Sequence, residues 1–252
     1  MMHTLERGEM ERILPLVPRA RDAGHMAFVH AVIEGRQPGH AFVDDTHAPR
    51  SALVFNHAGF AFALGRSRPD LVVPIFMALI DDPSIENQPT ALWCTAPSWA
   101  DALRPYFHEE RSRDEFHFDA ARAPIAVELA PGYRLQSMDE VLASRWGEGL
   151  DAWVVRIWGG PKQFAERAFG IAVLQGDDLV ADCTVCAIGG PRPEREAEIE
   201  IGTAPAHRRK GLALGAAVAF FEQCRSRGLT PAWTCDSLNT ASRRLAEQLG
   251  FT

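Results

Sequence analysis

One stretch of the sequence combines charged and small residues in a pattern that suits the binding of an anion. It runs from Glu198 to Ala217 and is typical of a strand, a short turn and the first turns of a helix. Glu198 to Thr203 alternates polar and apolar residues, as a half-buried strand does, and Pro205 ends it because proline has no amide for a ladder. The almost wholly apolar run from Leu212 to Phe221 indicates a helix packed closely against a sheet.

The start of that helix is the predicted anion site. The first amides of a helix have no partner within it, and they lie at the positive end of the helix dipole. Arg208, Arg209 and Lys210 add positive charge, and Gly211 allows a phosphate to approach the backbone. We therefore predict an anion cradle over residues 209–213. The motifs GxxxxGK[ST] and GxGxxG are absent, so the anion must be held in another way.

A second segment follows this helix. Pro231 to Cys235 has the character of a short strand, and Asn239 is suited to cap a helix that Gly250 ends. The apolar positions of that helix recur at a spacing of four residues and are Ala241, Leu245 and Leu249. The two segments together predict the order strand, anion loop, helix, strand and Asn-capped helix.

The motif Arg208-x-x-Gly211-x-Ala213 after a strand resembles the pyrophosphate-binding signature R/Q-x-x-G-x-G/A of the GNAT acyl-CoA N-acyltransferases. The order of elements over residues 131–252, ending in Leu-Gly-Phe, is similar to the catalytic core of that family. The run from Trp233 to Glu247 is most similar to the subgroup that includes the zwittermicin A resistance acetyltransferase.

This resemblance implies acetyl-CoA as the acetyl donor and gives several residues a part in binding it. The first helical amides, within 209–213, would hold the pyrophosphate, and the backbone at Ile201 and Thr203 would pair with the pantetheine amides. Asn239 would contact the cofactor. The predicted cofactor-binding residues are Ile201, Thr203, Arg208, Arg209, Lys210, Gly211, Leu212, Ala213, Asn239 and Ser242.

Acetyl transfer to an amine requires a base for the amine proton and an acid for the leaving thiolate. Glu198 is the first candidate for the base and Glu200 the second, because alternate strand positions share a face; the alternative is a solvated strand face. Many enzymes of the resembled family carry a tyrosine as the acid where this sequence has Ala246. Ser242 is a candidate to replace it, although a serine in a first turn is often only a helix-start residue.

The first half of the chain has its own pattern of short strands and helices. Helices are predicted over residues 10–17 and 26–33, and another is predicted to begin with Ser98 as its cap. A hairpin, a helix, a strand, a helix and a strand follow one another without an anion signature. We therefore interpret residues 1–125 as a non-catalytic α/β domain, with a degenerate copy of the C-terminal core as one explanation of the parallel order.

The predicted fold class is α/β, with a mixed α+β sheet in a GNAT-like acetyltransferase core at 131–252 and a smaller α/β domain before it. The resemblance implies two further strands after Gly-Phe, so either the given sequence is truncated after Thr252 or the core lacks these last strands, which would leave the strand at 231–235 with an open edge. We expect the N-terminal domain or a second chain to cover that edge. The glycines at 147, 149, 159 and 160 predict a substrate lid flanked by Trp153 and Trp158.

Composition excludes several classes of protein. The net charge of −7 argues against nucleic acid or an anionic membrane as partner and suits a cationic small molecule. Five cysteines do not suggest a disulfide framework, and Cys183-x-x-Cys186 has no second ligand pair, so no metal is predicted. No apolar run is long enough to span a bilayer, and we expect a cytoplasmic protein. The composition is also compatible with a homodimer.

The leading hypothesis is an acetyl-CoA-dependent N-acetyltransferase that acts on the amine of a small molecule by direct transfer in a ternary complex. The alternative is a catalytically silent CoA-binding sensor or interaction module. Ala246 and the missing strands favour that alternative.

Overall fold

The computed structural model describes residues 2–18, 26–57, 59–82, 91–124, 126–146, 152–191 and 195–252. The chain forms two compact units, Met1–Glu110 and Arg111–Thr252. Each unit has its own mixed sheet with helices, so the predicted α/β fold class is confirmed. Among the helices of the described residues, none is long and apolar enough to cross a membrane.

The N-terminal unit is built on a sheet of order β1-β2-β3-β4-β5. Its strands are β1 (His3–Thr4), β2 (Gly39–Val43), β3 (Ser51–Asn56), β4 (Phe60–Gly65) and β5 (Ala91–Cys94). Its α-helices are α1 (Ala27–Ile33), α2 (Pro69–Asp81) and α3 (Pro97–Leu103), and 3₁₀ helices span Arg7–Leu16 and Arg104–Tyr106. Strands β1 to β4 pair antiparallel, and β4 and β5 pair parallel across the helix α2.

Strand β3 is buried along its whole length because both faces of the sheet are covered. Ala52 and Val54 belong to one apolar cluster, which includes residues of α1. Leu53 and Phe55 belong to a second cluster, which includes residues of α2 and α3. The alternation of a strand thus serves two cores at once.

Two local predictions in this unit were wrong. The segment predicted as a helix over 10–17 is a 3₁₀ helix with Pro15 inside it, and proline cannot donate the amide bond of an α-helix. Ser98 is not a cap, because α3 begins at Pro97 and Ala96 is its N-cap, without a side-chain hydrogen bond. Proline at the first helical position favours that earlier start.

The C-terminal unit has a sheet of order β6-β11-β10-β9-β8-β7. Its strands are β6 (Arg113–Phe116), β7 (Tyr133–Ser137), β8 (Gly170–Gln175), β9 (Asp178–Gly189), β10 (Glu196–Thr203) and β11 (Thr230–Asp236). Its α-helices are α4 (Glu140–Trp146), α5 (Ala152–Ile157), α6 (Pro161–Arg167), α7 (Leu212–Ser226) and α8 (Thr240–Gln248), and a 3₁₀ turn spans Pro205–His207. Neighbouring strands are antiparallel except β10 and β11, which are parallel and joined by α7.

Strand β6 covers the edge of β11, from Phe116 opposite Trp233 to Arg113 opposite Asp236. Residues 113–116 fall within the predicted N-terminal domain of residues 1–125, yet they pair within the C-terminal sheet. The edge is therefore covered by a strand of the compact C-terminal unit itself, and not by the N-terminal unit or a second chain as expected. A bridge between Phe118 and Phe251 continues the contact beyond the strand.

The structure describes only part of the predicted lid. Residues 147–151 and the side chain of Trp153 lie outside the described residues. Trp158 is 2% exposed, and its indole nitrogen donates to the carbonyl of Val185 on β9 at 3.1 Å. Trp158 is therefore part of the core of the C-terminal unit.

Candidate active site

Strands β10 and β11 run side by side at their beginnings and then separate. Their Cα partners are Glu196 with Thr230, Ala197 with Pro231, and Glu198 with Ala232. Beyond these pairs β10 continues to Thr203 and β11 to Asp236. All residues of both strands are described, and none after Glu198 has a partner on the other strand, so the sheet opens into a gap there.

The backbone of β10 faces this gap at alternate residues. The amide of Ala204 donates to the carbonyl of Val180 at 2.9 Å, and bonded pairs alternate along an antiparallel ladder. In the register of β10 with β9, this pattern directs the backbone groups of Ile201 and Thr203 away from β9. They line the gap, which is the place the predicted pantetheine contacts require.

Helix α7 begins after a turn with two left-handed residues. Arg209 has a φ of 65°, and Gly211, the N-cap, has a φ of 75°. A Cβ on Gly211 would meet no atom within 4 Å, so the space in front of this backbone is open. The amide of Gly215 donates to the Gly211 carbonyl at 3.0 Å, whereas the amides of residues 209–214 donate to no carbonyl in the described chain. Leu212 is 2% exposed, so only its backbone is available to a ligand.

Three exposed cations surround this turn, and two of them are held in place. The Arg208 Nε donates to the carbonyl of Thr203 at 3.2 Å, which ties the turn to the end of β10. The Lys210 Nζ donates to the hydroxyl of Tyr133 at 2.8 Å and lies 5.4 Å from the ring centre. Arg209 is the third cation.

Tyr133 is a site residue that sequence reasoning missed. Its hydroxyl lies 3.0 Å from His207 Nδ1 as well as bonding Lys210, so one side chain of β7 contacts both ends of the turn. The β7 strand forms the far edge of the sheet. No local pattern could have connected it with the start of α7.

Glu198, the first candidate for the base, is only 4% exposed. Its Oε1 accepts a hydrogen bond from the Thr234 hydroxyl at 2.8 Å. The same hydroxyl accepts from Arg113 Nη2 at 3.0 Å. A β-bulge shifts the register of β10 and β9 immediately after Glu198, as is common near active sites. Glu198 is thus joined to β11 and β6 at the point where the gap begins.

Glu200, the second candidate, lies further into the open half of β10 and is half-buried. Its Cα partner on β9 is Thr184, which is fully buried. Strand alternation places Glu200 on the same face as Glu198. The structure therefore puts both candidate carboxylates along the gap, with Glu198 at its closed end.

Helix α8 borders the gap from the other strand. Asn239 Oδ1 accepts from the amide of Ser242 at 3.1 Å, so the predicted cap is confirmed. The Ser242 hydroxyl accepts from the indole nitrogen of Trp233 at 3.1 Å. Adjacent residues of a strand point to opposite faces, so Ser242, bound to Trp233, and Glu198, bound to Thr234, lie on opposite faces of β11. Ala246 is fully buried and has no acidic group.

The cysteines of β9 belong to the core of the sheet. Cys183 and Cys186 are buried, and burial raises the pKa of both thiols well above the ordinary value. The Cys186 Sγ donates to the carbonyl of Glu198 at 3.3 Å. Within the described residues, no group of His, Cys, Asp and Glu side chains is arranged to hold a metal ion.

The gap between the parallel strands β10 and β11 thus lies next to a helix start with open amides. The sequence profile described as GNAT acetyltransferase matches residues 21–252. The chain belongs to the GNAT acetyltransferase family.

Relatives of this GNAT acetyltransferase share most of its length. It is 27% identical over 227 residues to the uncharacterized N-acetyltransferase YdfB of Bacillus subtilis (strain 168), covering 89% of this chain and 85% of that protein. A GCN5-related N-acetyltransferase-like protein from Streptococcus suis 89/1591 has a TM-score of 0.73 at 22% identity, with 97% and 94% of the two chains covered. A tandem GNAT protein from the clavulanic acid biosynthesis pathway has a TM-score of 0.62 at 14% identity over 100% and 95% of the chains. The last two likenesses concern the fold.

The residues of this GNAT acetyltransferase fit the acetyl-CoA that its family uses. The amides of 209–214 and the open space at Gly211 suit a pyrophosphate, and the surrounding cations suit its charge. Ala213, half-buried on the first turn of α7, is small enough to leave that approach clear. The outward backbone groups of Ile201 and the outward amide of Thr203 offer a strand edge to the pantetheine amides, while the Thr203 carbonyl accepts from Arg208.

Proposed function

We propose that this GNAT acetyltransferase transfers the acetyl group of acetyl-CoA to the amine of a small molecule, by direct transfer in a ternary complex. One observation carries the proposal: the gap between β10 and β11 starts at a buried carboxylate, Glu198, and leads to the open amides before α7. The groups proposed to bind acetyl-CoA and the carboxylate proposed to remove the proton thus lie along the same gap.

In this proposal the chain orients the acetyl donor from three sides. The amides and cations of residues 208–213 bind the pyrophosphate. The outward backbone of Ile201 and Thr203 pairs with the pantetheine amides, which aligns the thioester along the gap. Asn239, exposed at the start of α8, contacts the cofactor near the mouth of the gap.

The acetyl-CoA supplies its acetyl group as a thioester, and the residues of the chain manage the protons. Glu198 accepts the proton of the attacking amine, directly or through water, with Glu200 as the second candidate for this role. Ser242 lies on the opposite face of β11 and donates a hydrogen bond to the leaving thiolate, since its hydroxyl proton is not needed for the bond from Trp233. The amine nitrogen bonds to the acetyl carbon as the carbon–sulfur bond breaks.

Sequence similarity supports finer assignments. The run from Trp233 to Glu247 supports placement in the subgroup that includes the zwittermicin A resistance acetyltransferase. The five cysteines are free thiols, which suits a reducing cytoplasm. A homodimer stays a prediction.

The structure of the N-terminal unit supports its interpretation as a non-catalytic, degenerate copy of the C-terminal core. Its strands β4 and β5 are also parallel and joined by a helix, but they stay paired through Ala63 and Cys94. The carbonyl of Ala63 accepts from the Thr95 hydroxyl at 2.6 Å. The carbonyl of Gly65 accepts from the indole nitrogen of Trp99 at 3.0 Å. These side chains occupy the strand edge that a pantetheine would need.

The helix start of this unit is also unsuited to an anion. The first turn of α2 carries Asp70, whose carboxylate pairs with Arg68 at 2.7 Å. A negative side chain already occupies the positive end of the helix. We therefore propose that only the C-terminal unit binds acetyl-CoA.

Calorimetric titration with acetyl-CoA tests the cofactor site. The double variant Arg209→Glu, Gly211→Glu should bind at least tenfold more weakly, because charge-assisted bonds to a phosphate are each worth about 1.5–3 kcal/mol. The matched control is Arg225→Glu, Gly228→Glu, at the other end of α7. It makes the same change of charge and also replaces a glycine with positive φ and no atom within 4 Å of its Cβ. Equal affinities of the two double variants would refute the cradle.

Ala246 is the observation that favours the silent CoA-binding alternative, because a buried alanine cannot protonate a thiolate. Release of free CoA thiol on a panel of small amines distinguishes the two functions. Turnover with any amine supports the enzyme. Tight acetyl-CoA binding without turnover on the whole panel would support the sensor.

A further inference from the structure

Thr234 sits between two charged side chains on the half of β11 that borders the gap. Its hydroxyl lies 2.8 Å from Glu198 Oε1 and 3.0 Å from Arg113 Nη2. A guanidinium can only donate, and a threonine hydroxyl has a single proton. The proton of Thr234 is therefore directed at Glu198, and the order of donation is Arg113 to Thr234 to Glu198.

We propose that Thr234 and Arg113 are positioning residues that hold the Glu198 carboxylate ionised and fixed at the closed end of the gap. The proposal rests on the proposed role of Glu198 as the base. It assigns a part in the reaction to β6, a strand that lies on the far side of β11 from the gap.

Burial explains why the carboxylate needs this support. Removal from water disfavours the charged form of an acid, and a hydrogen bond donated to the charged form favours it. Thr234 supplies such a bond to a side chain that is only 4% exposed. Arg113 orients the hydroxyl by donating to its oxygen, so that the hydroxyl proton is directed at Glu198.

Other charged groups face the same side, by the alternation of their strands. They are Glu196 and Glu200 on β10, Asp182 on β9, Asp236 on β11 and Glu115 on β6. All of them are acidic, and like charges disfavour a second ionised carboxylate. The hydrogen bonds from Arg113 to Thr234 and from Thr234 to Glu198 favour the ionised form of Glu198 against both this repulsion and the effect of burial.

Carboxyl ¹³C NMR of the full-length protein labelled at glutamate tests the positioning without an acceptor. Glu198→Gln identifies the resonance of Glu198. Thr234→Val, which keeps the shape of the side chain and removes its hydroxyl, should raise the titration midpoint of Glu198. Thr234→Ser should restore the wild-type midpoint. Thr230→Val is the matched control at an exposed position of the same strand and should leave it unchanged.

Kinetics give a second readout. In Thr234→Val, the rising limb of the kcat/KM profile should move to higher pH, and the rate at a fixed pH below the limb should fall about tenfold for every pH unit that the limb moves. The affinity for acetyl-CoA should stay unchanged. If Thr234→Val does not fold, Thr234→Ala replaces it in both experiments. A wild-type midpoint and a wild-type profile in a folded variant without the hydroxyl would overturn the proposal.

Arg113→Met tests the outer member of the chain. It should raise the titration midpoint of Glu198 by less than Thr234→Val does. The double variant with Thr234→Val should have the same midpoint as Thr234→Val alone, because Arg113 acts through the hydroxyl. Arg243→Met is the control, since that arginine pairs with Asp114 on the other face of β6 at 2.8 Å. Additive changes of the midpoint in the double variant would refute the role of Arg113.

Failure of the base role and failure of the positioning role are distinguishable. Full activity of Glu198→Gln would remove Glu198 as base while the NMR midpoints still report on its bond with Thr234. Loss of activity in Glu198→Gln together with full activity and an unchanged midpoint in Thr234→Val would refute the positioning role alone.

Discussion

Glu198 and Ala232 are the last residue pair that β10 and β11 share. The ladder between these strands therefore closes at the residue that carries the candidate base. In the N-terminal unit, by contrast, β4 and β5 stay paired along the whole of β5. The same connection of two parallel strands through a helix thus gives an open gap in one unit and a closed sheet in the other.

Glu198→Gln should lower kcat by about 10²–10⁴-fold, because that is the usual contribution of a general base. The affinity for acetyl-CoA should remain close to that of the wild type, since no step of cofactor binding is assigned to this side chain. Steady-state kinetics and calorimetry measure the two quantities. Glu200→Gln is measured in parallel, and Glu196→Gln, on the paired part of the same face, is the control. Full rates in both Glu198→Gln and Glu200→Gln would show that the base is not on β10.

The full chain should bind one acetyl-CoA. The N-terminal unit has Thr95 and Trp99 on the carbonyls of β4 and Asp70 at the start of α2. Calorimetry of the wild type should give a stoichiometry of one, and the variant Arg209→Glu, Gly211→Glu should leave no second, weaker transition. Two sites per chain would contradict the interpretation of the N-terminal unit as non-catalytic.

Asn239 combines a structural bond with a proposed cofactor contact, and substitution separates them. Asn239→Ala removes the cap on α8 and should lower the free energy of unfolding by about 1 kcal/mol. Asn239→Asp keeps an acceptor for the Ser242 amide and should preserve stability, but its negative charge should weaken acetyl-CoA binding. Chemical denaturation and calorimetry report the two effects. Unchanged affinity in both variants would leave Asn239 a cap alone.

Acid should destabilise the N-terminal unit in part through His57. Burial, and secondarily the charge of His40, lowers the pKa of His57 below the ordinary value of 6.5. Between its pKa in the folded protein and 6.5, the unfolded chain binds a proton that the folded chain does not, so stability falls as the pH falls through this window. His57→Gln should reduce this loss. Urea unfolding at about pH 7.5 and in the acid window measures it, and an identical pH dependence in the variant would contradict the prediction.

The buried thiols should not react in the native protein. Burial raises the pKa of Cys183, Cys186 and Cys224, so they stay protonated at neutral pH and are shielded as well. A thiol reagent should therefore label them only after unfolding, which mass spectrometry of digested protein can show. Rapid native labelling of Cys224 would indicate that α7 opens locally.

Local chemistry made much of the C-terminal unit predictable. The strand ending before Pro205, the turn with Gly211 and the cap at Asn239 each depend on residues close in sequence, and the structure has all three. The family pattern that joins them then leads to acetyl-CoA. The same local reasoning failed at Ser98, where the choice between two adjacent helix starts is set by the proline before it.

Contacts between distant segments could not be predicted. Arg113 bonds Thr234 and Lys210 bonds Tyr133 across the sheet, and neither pair has a sequence pattern. Thr234 had a weaker signal, because strand alternation places it on one face with Ala232, the partner of Glu198. The position of β6 depends on strand order, which periodicity does not determine.

Strand β6 is synthesised long before its pairing partner β11. Arg113 and Thr234 are 121 residues apart, so β6 leaves the ribosome long before the strand it pairs with. Until β11 is made, β6 must wait as a strand without its neighbour, and such strands favour aggregation. Its sequence Arg-Asp-Glu-Phe is charged at three of four positions, which keeps the nascent segment in water during this delay.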